Sequence, residues 1–254
     1  MTPIEKAGYL AHARTPGYRK RRERAEATIR HALSLSERPY IAYSAGKDST
    51  AMMWLIAMLR PDIDVRVAVS PDARLLHRDL DRLIEWWRAA WPGMRIEEIA
   101  YRVDPDGVPY LPSERPEWKG AYMREAMNRE TAGFDMAFVG VRSDESGMRA
   151  FSNRHFRDTP EWPIYTYREG SVAGNPGTRR VMPIERWTER DVWATIALHD
   201  LPTLEAYDDD PSERTTLGFN AVGRSRGLIA KLRQRDPKGY EELMRRDPSL
   251  RRDT

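Results

Sequence analysis

The 254-residue sequence contains no cysteine. That absence excludes disulfides, iron–sulfur clusters, thiolate zinc sites and any cysteine nucleophile supplied by these residues. The five histidines show no metal-ligand spacing, and His77, His155 and His199 read as packing or surface residues rather than zinc ligands. Long apolar runs are also missing. The longest, Ala51 to Leu59, is far too short to cross a bilayer, and no apolar leader segment precedes a small-residue cleavage site, so a cytoplasmic protein is expected with no membrane partner. There is no internal repeat and no low-complexity tract. The net charge is only +3, but residues 1–38 carry nine Lys/Arg against four Asp/Glu, and residues 211–254 carry eleven against six. The excess sits at the two ends, around Arg19 to Arg24 and Gly223 to Arg235, which offers a nucleic-acid backbone as one candidate partner.

What is present alternates short apolar β-type runs with helical stripes, a pattern of βαβ units. Residues 18–35 read as a helix, 39–43 as a first strand, and 49–59 as a second helix. Strands follow at 62–70 and 94–101 with a helix at 75–91 between them. A Pro-rich loop from Val103 to Trp118 leads to a helix at 120–132 and an apolar fourth strand at 134–141. The expected fold is α/β: a doubly wound, mainly parallel sheet with helices on both faces. Its parts are a basic helical segment at 1–38, an α/β domain at 39–210 and a basic helical extension at 211–254.

The run Ser44-Ala45-Gly46-Lys47-Asp48-Ser49-Thr50 joins the first strand to the second helix. A strand, a tight small-residue turn and a helix start make an anion site, because the backbone can approach an oxyanion closely and the first helical N–H groups point at it. The run is not a Walker A loop: Ile41 stands where its first glycine is needed, and Asp48 where a hydroxyl should follow Lys47. A carboxylate inside a phosphate loop points to magnesium, with Asp48 as its candidate ligand. Ser44, Ala45, Gly46, Lys47, Asp48, Ser49 and Thr50 are the candidate phosphate-binding residues.

This run resembles the Ser-Gly-Gly-x-Asp-Ser PP-loop of the ATP pyrophosphatase superfamily, with Ala45 in place of one glycine. Further on, Gly140-Val141-Arg142-Ser143-Asp144-Glu145-Ser146 through Arg149-Ala150 is similar to a Gly-x-Arg-x-x-Glu-Ser-x-x-Arg-Ala signature of the phosphoadenosine phosphosulfate (PAPS) reductase family. Met182-Pro183-Ile184 through Trp187-Thr188-Glu189-Arg190-Asp191-Val192-Trp193, then Leu201-Pro202 and Tyr207-Asp208, match that family's later segments. The resemblance covers residues 40–208 and implies the adenine nucleotide alpha hydrolase-like fold.

It also implies a site. Arg142 and Arg149 follow the fourth strand, where forked guanidinium groups grip phosphate or sulfate, and Gly140 joins the phosphate-binding set. Asp72 stands where relatives often carry Asp-Thr-Gly, and reads either as a metal or ribose contact or as a helix cap. Thr188 and Asp191 read as a capping box, and Trp187 and Trp193 as core aromatics. Arg186 is a weaker nucleotide contact.

The family's reductases attack a sulfonucleotide with a C-terminal cysteine, which this chain lacks, so reductive chemistry in cis is excluded. What remains is magnesium-assisted cleavage of ATP at the alpha phosphate. An acceptor is adenylated, pyrophosphate leaves, and Lys47, Asp48, Arg142 and Arg149 carry the catalysis. Sulfur transfer or nucleic-acid modification are the contexts the resemblance suggests, with a sulfur-donor or thiol protein as partner. A PAPS- or APS-binding protein that takes a thiol in trans, and a nucleotide-gated nucleic-acid-binding component, are the alternatives.

Overall fold

A computed structural model describes residues 1–101, 121–145, 147, 157–169, 174–209, 225–246 and 248. In chain order the elements are α1 (Pro3–Ala13), α2 (Pro16–Ser34), β1 (Pro39–Tyr43), α3 (Lys47–Ala57), β2 (Asp64–Val69), α4 (Ala73–Leu76), α5 (Leu80–Ala90), β3 (Arg95–Ala100), α6 (Ala121–Glu130), β4 (Met136–Val139), β5 (Ile164–Thr166), β6 (Arg179–Val181), α7 (Glu189–Leu198), α8 (Ala206–Asp209), α9 (Ser225–Arg235) and α10 (Pro237–Arg246). The strands form one six-stranded sheet in the order β3-β2-β1-β4-β6-β5. Every pairing is parallel except β5 with β6. The doubly wound expectation therefore holds, with an antiparallel edge. The Pro-rich loop from Val103 to Trp118 lies outside the described residues.

Alternation in the strands explains the two layers. Ile41, Tyr43, Val65, Val67, Val69 and Phe138 face one side, where they meet Ile29 of α2, the apolar body of α3, Trp87 of α5 and Trp193 of α7. Tyr40 and Ala137 face the other side with Phe134, and Ile99 meets Ala126 of α6 there. Helix α3 is buried along almost its whole length, which is why its sequence is apolar all round rather than striped.

Two boundaries differ from the sequence reading. Helix α3 begins at Lys47, not residue 49, because Gly46 takes the extended N-cap conformation, so Lys47 and Asp48 belong to the first helical turn. The expected helix at 75–91 is broken into α4 and α5. Asp79 lies at the break, and its Oδ2 accepts the Glu205 N–H at 2.8 Å, tying the interruption to the chain ahead of α8.

The N-terminal segment is two helices rather than one, each begun by a threonine cap and a proline in its first turn. They are fixed to α7 through Asp191, which is fully buried. Its carboxylate accepts from His12 Nε2, Arg21 Nε and Nη2, and the Thr188 N–H and hydroxyl, all within 2.7–2.8 Å. Tyr18 Oη also meets Thr195 Oγ1 at 2.9 Å. The basic cluster of α2 is largely engaged in this packing: Arg21 binds Asp191, Arg22 binds Glu26 and lies over Trp54, and Arg24 lies over Trp162. At the other end, Ile229 of α9 and Leu243 of α10 pack with Leu75 and Leu76 of α4, and Arg78 pairs with Asp236. Residues 211–224 lie outside the described residues. No helix among those described is long and apolar enough to cross a membrane.

Burial works against the charge of Asp191, yet the bonds from Arg21, His12 and Thr188 outweigh it and hold its carboxyl below the ordinary range. A carboxyl lowered by folding stabilises the fold above its unfolded pKa and loses that contribution as pH falls through the folded one. Asp191→Asn, which removes the buried carboxylate that pairs with the partly exposed Arg21, is expected to lower stability by about 3 kcal/mol at neutral pH. The deficit should shrink as the pH is taken below about 4. Urea titrations across pH check both.

Candidate nucleotide-phosphate site

At the carboxyl end of β1 the chain turns through Ser44, Ala45 and Gly46 into α3. Ala45 has φ of 56°, in the left-handed region that favours glycine. Holding a Cβ there costs about 1–2 kcal/mol, and this is the position where the resemblance places a glycine. Hydroxyls knit the turn. The Ser44 N–H donates to Ser49 Oγ at 3.3 Å, the two serine oxygens lie 3.1 Å apart, and Ser49 Oγ donates to the Gly46 carbonyl at 2.9 Å. Among the described residues the backbone N–H groups of Gly46 and Asp48 make no hydrogen bond, leaving them for an anion. Thr50 faces inward: its Oγ1 lies 3.1 Å from Tyr43 Oη, which also accepts from Trp87 Nε1 at 3.2 Å. Its hydroxyl therefore serves the core beneath the loop.

Strand β4, paired beside β1, delivers the second half of the site. A Cβ on Gly140 would stand 2.8 Å from Ser49 Cα and 2.9 Å from Ser49 N. Gly140 thus lets the strand end press against the first turn of α3, backbone to backbone. Two residues on, Arg142 is buried and its guanidinium bonds to Asp48 and Asp144. The Arg142 N–H donates to Glu145 Oε1 at 2.9 Å, and the Ser143 N–H to the Glu185 carbonyl at 2.8 Å. The two carboxylate oxygens of Glu185 in turn accept from Arg157 Nη2, at 2.6 and 2.7 Å. Glu145 therefore orients the Arg142 turn. Burial pushes the Asp48 carboxyl above its ordinary value, opposed by the charges of Arg142 and Lys47. Burial alone would lower the Arg142 pKa, but Asp48 and Asp144 reverse this and raise it. Arg149 lies outside the described residues.

Lys47 is 2% exposed. Its Nζ lies 3.2 Å from Glu189 Oε1 at the start of α7 and 5.2 Å from the centre of the Tyr207 ring. The Lys47 N–H donates to Tyr207 Oη at 3.0 Å. Glu189 and Tyr207 both sit in the matched segments of the sequence, but no spacing argument joins them to a lysine more than a hundred residues away. Asp72, buried just past β2, holds the N-cap position of α4 without a side-chain capping bond. The cap reading thus lacks its hydrogen bond, while the residue's place at the carboxyl end of the sheet stands. Trp187 and Trp193 are core residues as expected, and Arg186 is a surface side chain 3.5 Å from Glu185. Among the described residues no group of three or more His, Asp or Glu side chains is placed to hold a metal, and His199 stacks on Trp54 at 3.6 Å.

A mainly parallel sheet whose β1 feeds a small-residue turn, met by an arginine from the segment after the neighbouring β4, defines a doubly wound α/β domain with its candidate ligand site at the carboxyl ends of the strands. The chain belongs to the family of the phosphoadenosine phosphosulfate reductase domain, whose model matches residues 38–224. Among curated proteins, the sulfate adenylyltransferase subunit 2 of Burkholderia lata is 31% identical over 206 residues, covering 70% of this chain and 64% of that protein. The protein of the same name from Nocardia farcinica is 31% identical over 208 residues, covering 70% and 62%. The chain therefore spans a little under two thirds of the length of these relatives. Among solved structures, the PAPS reductase of Candida auris aligns with a TM-score of 0.47 and 17% identity over 78% of this chain and 87% of that one, a likeness too slight to carry weight.

Because the atoms nearest Gly140 are backbone, they cannot turn aside. Gly140→Ala is expected to destabilise the fold by about 1–3 kcal/mol through overpacking. Ala45→Gly should change stability by less than about 1 kcal/mol, strain relief offsetting the lost methyl contact. Ala45→Val should cost more than about 2 kcal/mol, since a β-branched residue tolerates the left-handed region least. Chemical denaturation of the three variants tests this ordering.

Proposed function

We propose that this chain is an adenylating enzyme that cleaves ATP between the alpha and beta phosphates and passes the adenylyl group to an inorganic oxyanion, sulfate. The observation that carries the reading is the pairing of a donor-lined loop at the end of β1 with Arg142 from β4. Backbone N–H groups and a buried guanidinium converge where a polyphosphate would lie. The names of the relatives supply the acceptor, and the absence of cysteine from the sequence agrees with a reaction that needs no thiol. Neither a thiol-bearing partner nor a nucleic acid is required. The designation of the relatives as a subunit supports a partner chain that completes the working enzyme.

In the proposed step a sulfate oxygen attacks the alpha phosphorus, forming a new P–O bond. The bond from that phosphorus to the bridging oxygen breaks, and pyrophosphate leaves with the electron pair. The Gly46 and Asp48 N–H groups and the Ser44 and Ser49 hydroxyls would hold the departing pyrophosphate, and Arg142 would stabilise the charge that builds on it. Arg149 is kept as a candidate second clamp. Asp72 at the end of β2 is kept as a candidate ribose contact.

A magnesium ion suits these residues. One partly buried carboxylate, Asp48, beside the loop donors suits an ion held by one or two carboxylates and by substrate phosphates rather than by a protein cage. When bound it would supply neutralisation of the triphosphate charge. Asp48 also orients Arg142, so its carboxylate serves the site in two ways.

The mixed phosphate–sulfate anhydride is the less stable side of this reaction, so the reverse direction gives the clearer assay. Adenylyl sulfate and pyrophosphate with magnesium are expected to yield ATP and sulfate. Tight binding of PAPS with no such exchange would point instead to a sulfonucleotide-binding protein. Asp48→Asn is expected to lower the exchange rate by about 100-fold or more with an unchanged circular dichroism spectrum. A rate equal to the wild type would remove Asp48 from the mechanism.

A further inference from the structure

Helices α3 and α7 run side by side in the same direction: their first residues, Lys47 and Glu189, pair at one end, and Trp54 and His199 stack farther along. Both helix starts therefore lie at the carboxyl end of β1, at the anion loop. An acidic side chain there is out of keeping with a polyphosphate site, since it repels the ligand that the loop donors attract. Lys47 supplies the reason for its presence. A buried ammonium needs a counter-ion, and Glu189 provides one from a side chain that is 41% exposed. Tyr207 holds the same lysine from below, accepting its N–H and presenting its ring to Nζ, and is itself fixed edge-on to Trp193 at 5.6 Å.

We propose that Glu189 is a counter-ion latch for Lys47: it keeps the ammonium neutralised and withdrawn in the empty site, and the polyphosphate of the nucleotide displaces it. This rests on the adenylating reading above and names how that site is armed. Glu189 is half in water, so its carboxylate regains hydration on release, while Lys47 exchanges one anion for another and is never left buried without a partner. Binding is then a substitution of counter-ions rather than the filling of a bare positive pocket. Glu189 is a positioning residue that acts through Lys47, and it opposes binding.

The test is calorimetric titration of magnesium ATP and of inorganic pyrophosphate into wild type, Glu189→Gln, Lys47→Met and the double variant, at one ionic strength. Glu189→Gln keeps the shape and removes the competing charge, so both ligands are expected to bind about threefold to tenfold more tightly. In the Lys47→Met background the same change should leave affinity within about twofold, because the latch has nothing to hold. An equal gain in both backgrounds would mean simple repulsion at a distance and would overturn the latch. Weaker or unchanged binding in Glu189→Gln would overturn it too, while leaving the adenylating reading standing. A wild-type protein that binds neither ligand overturns both. Matching melting temperatures for wild type and Glu189→Gln exclude a folding defect as the source of any shift.

Discussion

The close approach of two backbones at Gly140 is the constraint on which the site depends. With no side chain between them, the end of β4 lies against the first turn of α3. That contact brings Arg142 within reach of Asp48. Any spacer would separate the two halves of the candidate site, which follow different strands and meet at the sheet's carboxyl end. The left-handed Ala45 belongs to the same economy of space. It turns the chain into α3 with the Gly46 and Asp48 N–H groups lacking a backbone partner among the described residues, while Thr50 and Tyr43 close the floor beneath. Strain at one residue is tolerated because the buried helix that follows and the strand beside it fix the turn from both ends.

The second organising fact is that, among the described residues, the buried charges around the site and beneath the N-terminal helices are paired internally. Arg142 is held between Asp48 and Asp144, Lys47 by Glu189, Glu185 by Arg157, and Asp191 by Arg21 and His12. Each pair obeys the rule that an ion taken out of water must find a partner. At the loop the partners are acidic, so the proposed polyphosphate would compete for cations already engaged. In the N-terminal helices the same rule turns a basic cluster inward. Read along the chain, Arg21, Arg22 and Arg24 form a patch suited to nucleic acid. In the fold they grip a carboxylate and two indole rings and fasten α2 to the body of the protein.

Much of this was legible in the residues. The alternation of Ile63, Val65, Val67 and Val69, the apolar run after the loop and the Thr188–Asp191 capping box are local signals set by periodicity and hydrogen bonding over a few residues, and the corresponding strand and helices are present. The boundaries at Lys47 and at His77–Asp79 were not legible. Gly46 as an N-cap and Asp79 as an acceptor for Glu205 are choices made by surroundings far away in the chain. The doubling of the N-terminal helix did have local signs, in Thr2-Pro3 and Thr15-Pro16, which a reading centred on the apolar stripe of α2 passes over.

By itself, then, the sequence determined the kind of protein: an α/β sheet, a PP-loop in place of a Walker A loop, and no cysteine to attack sulfur. These follow from residue type and near-neighbour order, which the chain carries without folding. Only the tertiary structure decided which groups meet. Arg142 reaches Asp48 across 94 positions, and Glu189 and Tyr207 close on Lys47 from another helix and the segment beyond it. A pairing of that range depends on how the strands are ordered in the sheet, on a glycine that lets two backbones touch, and on burial that forces each charge to find a partner.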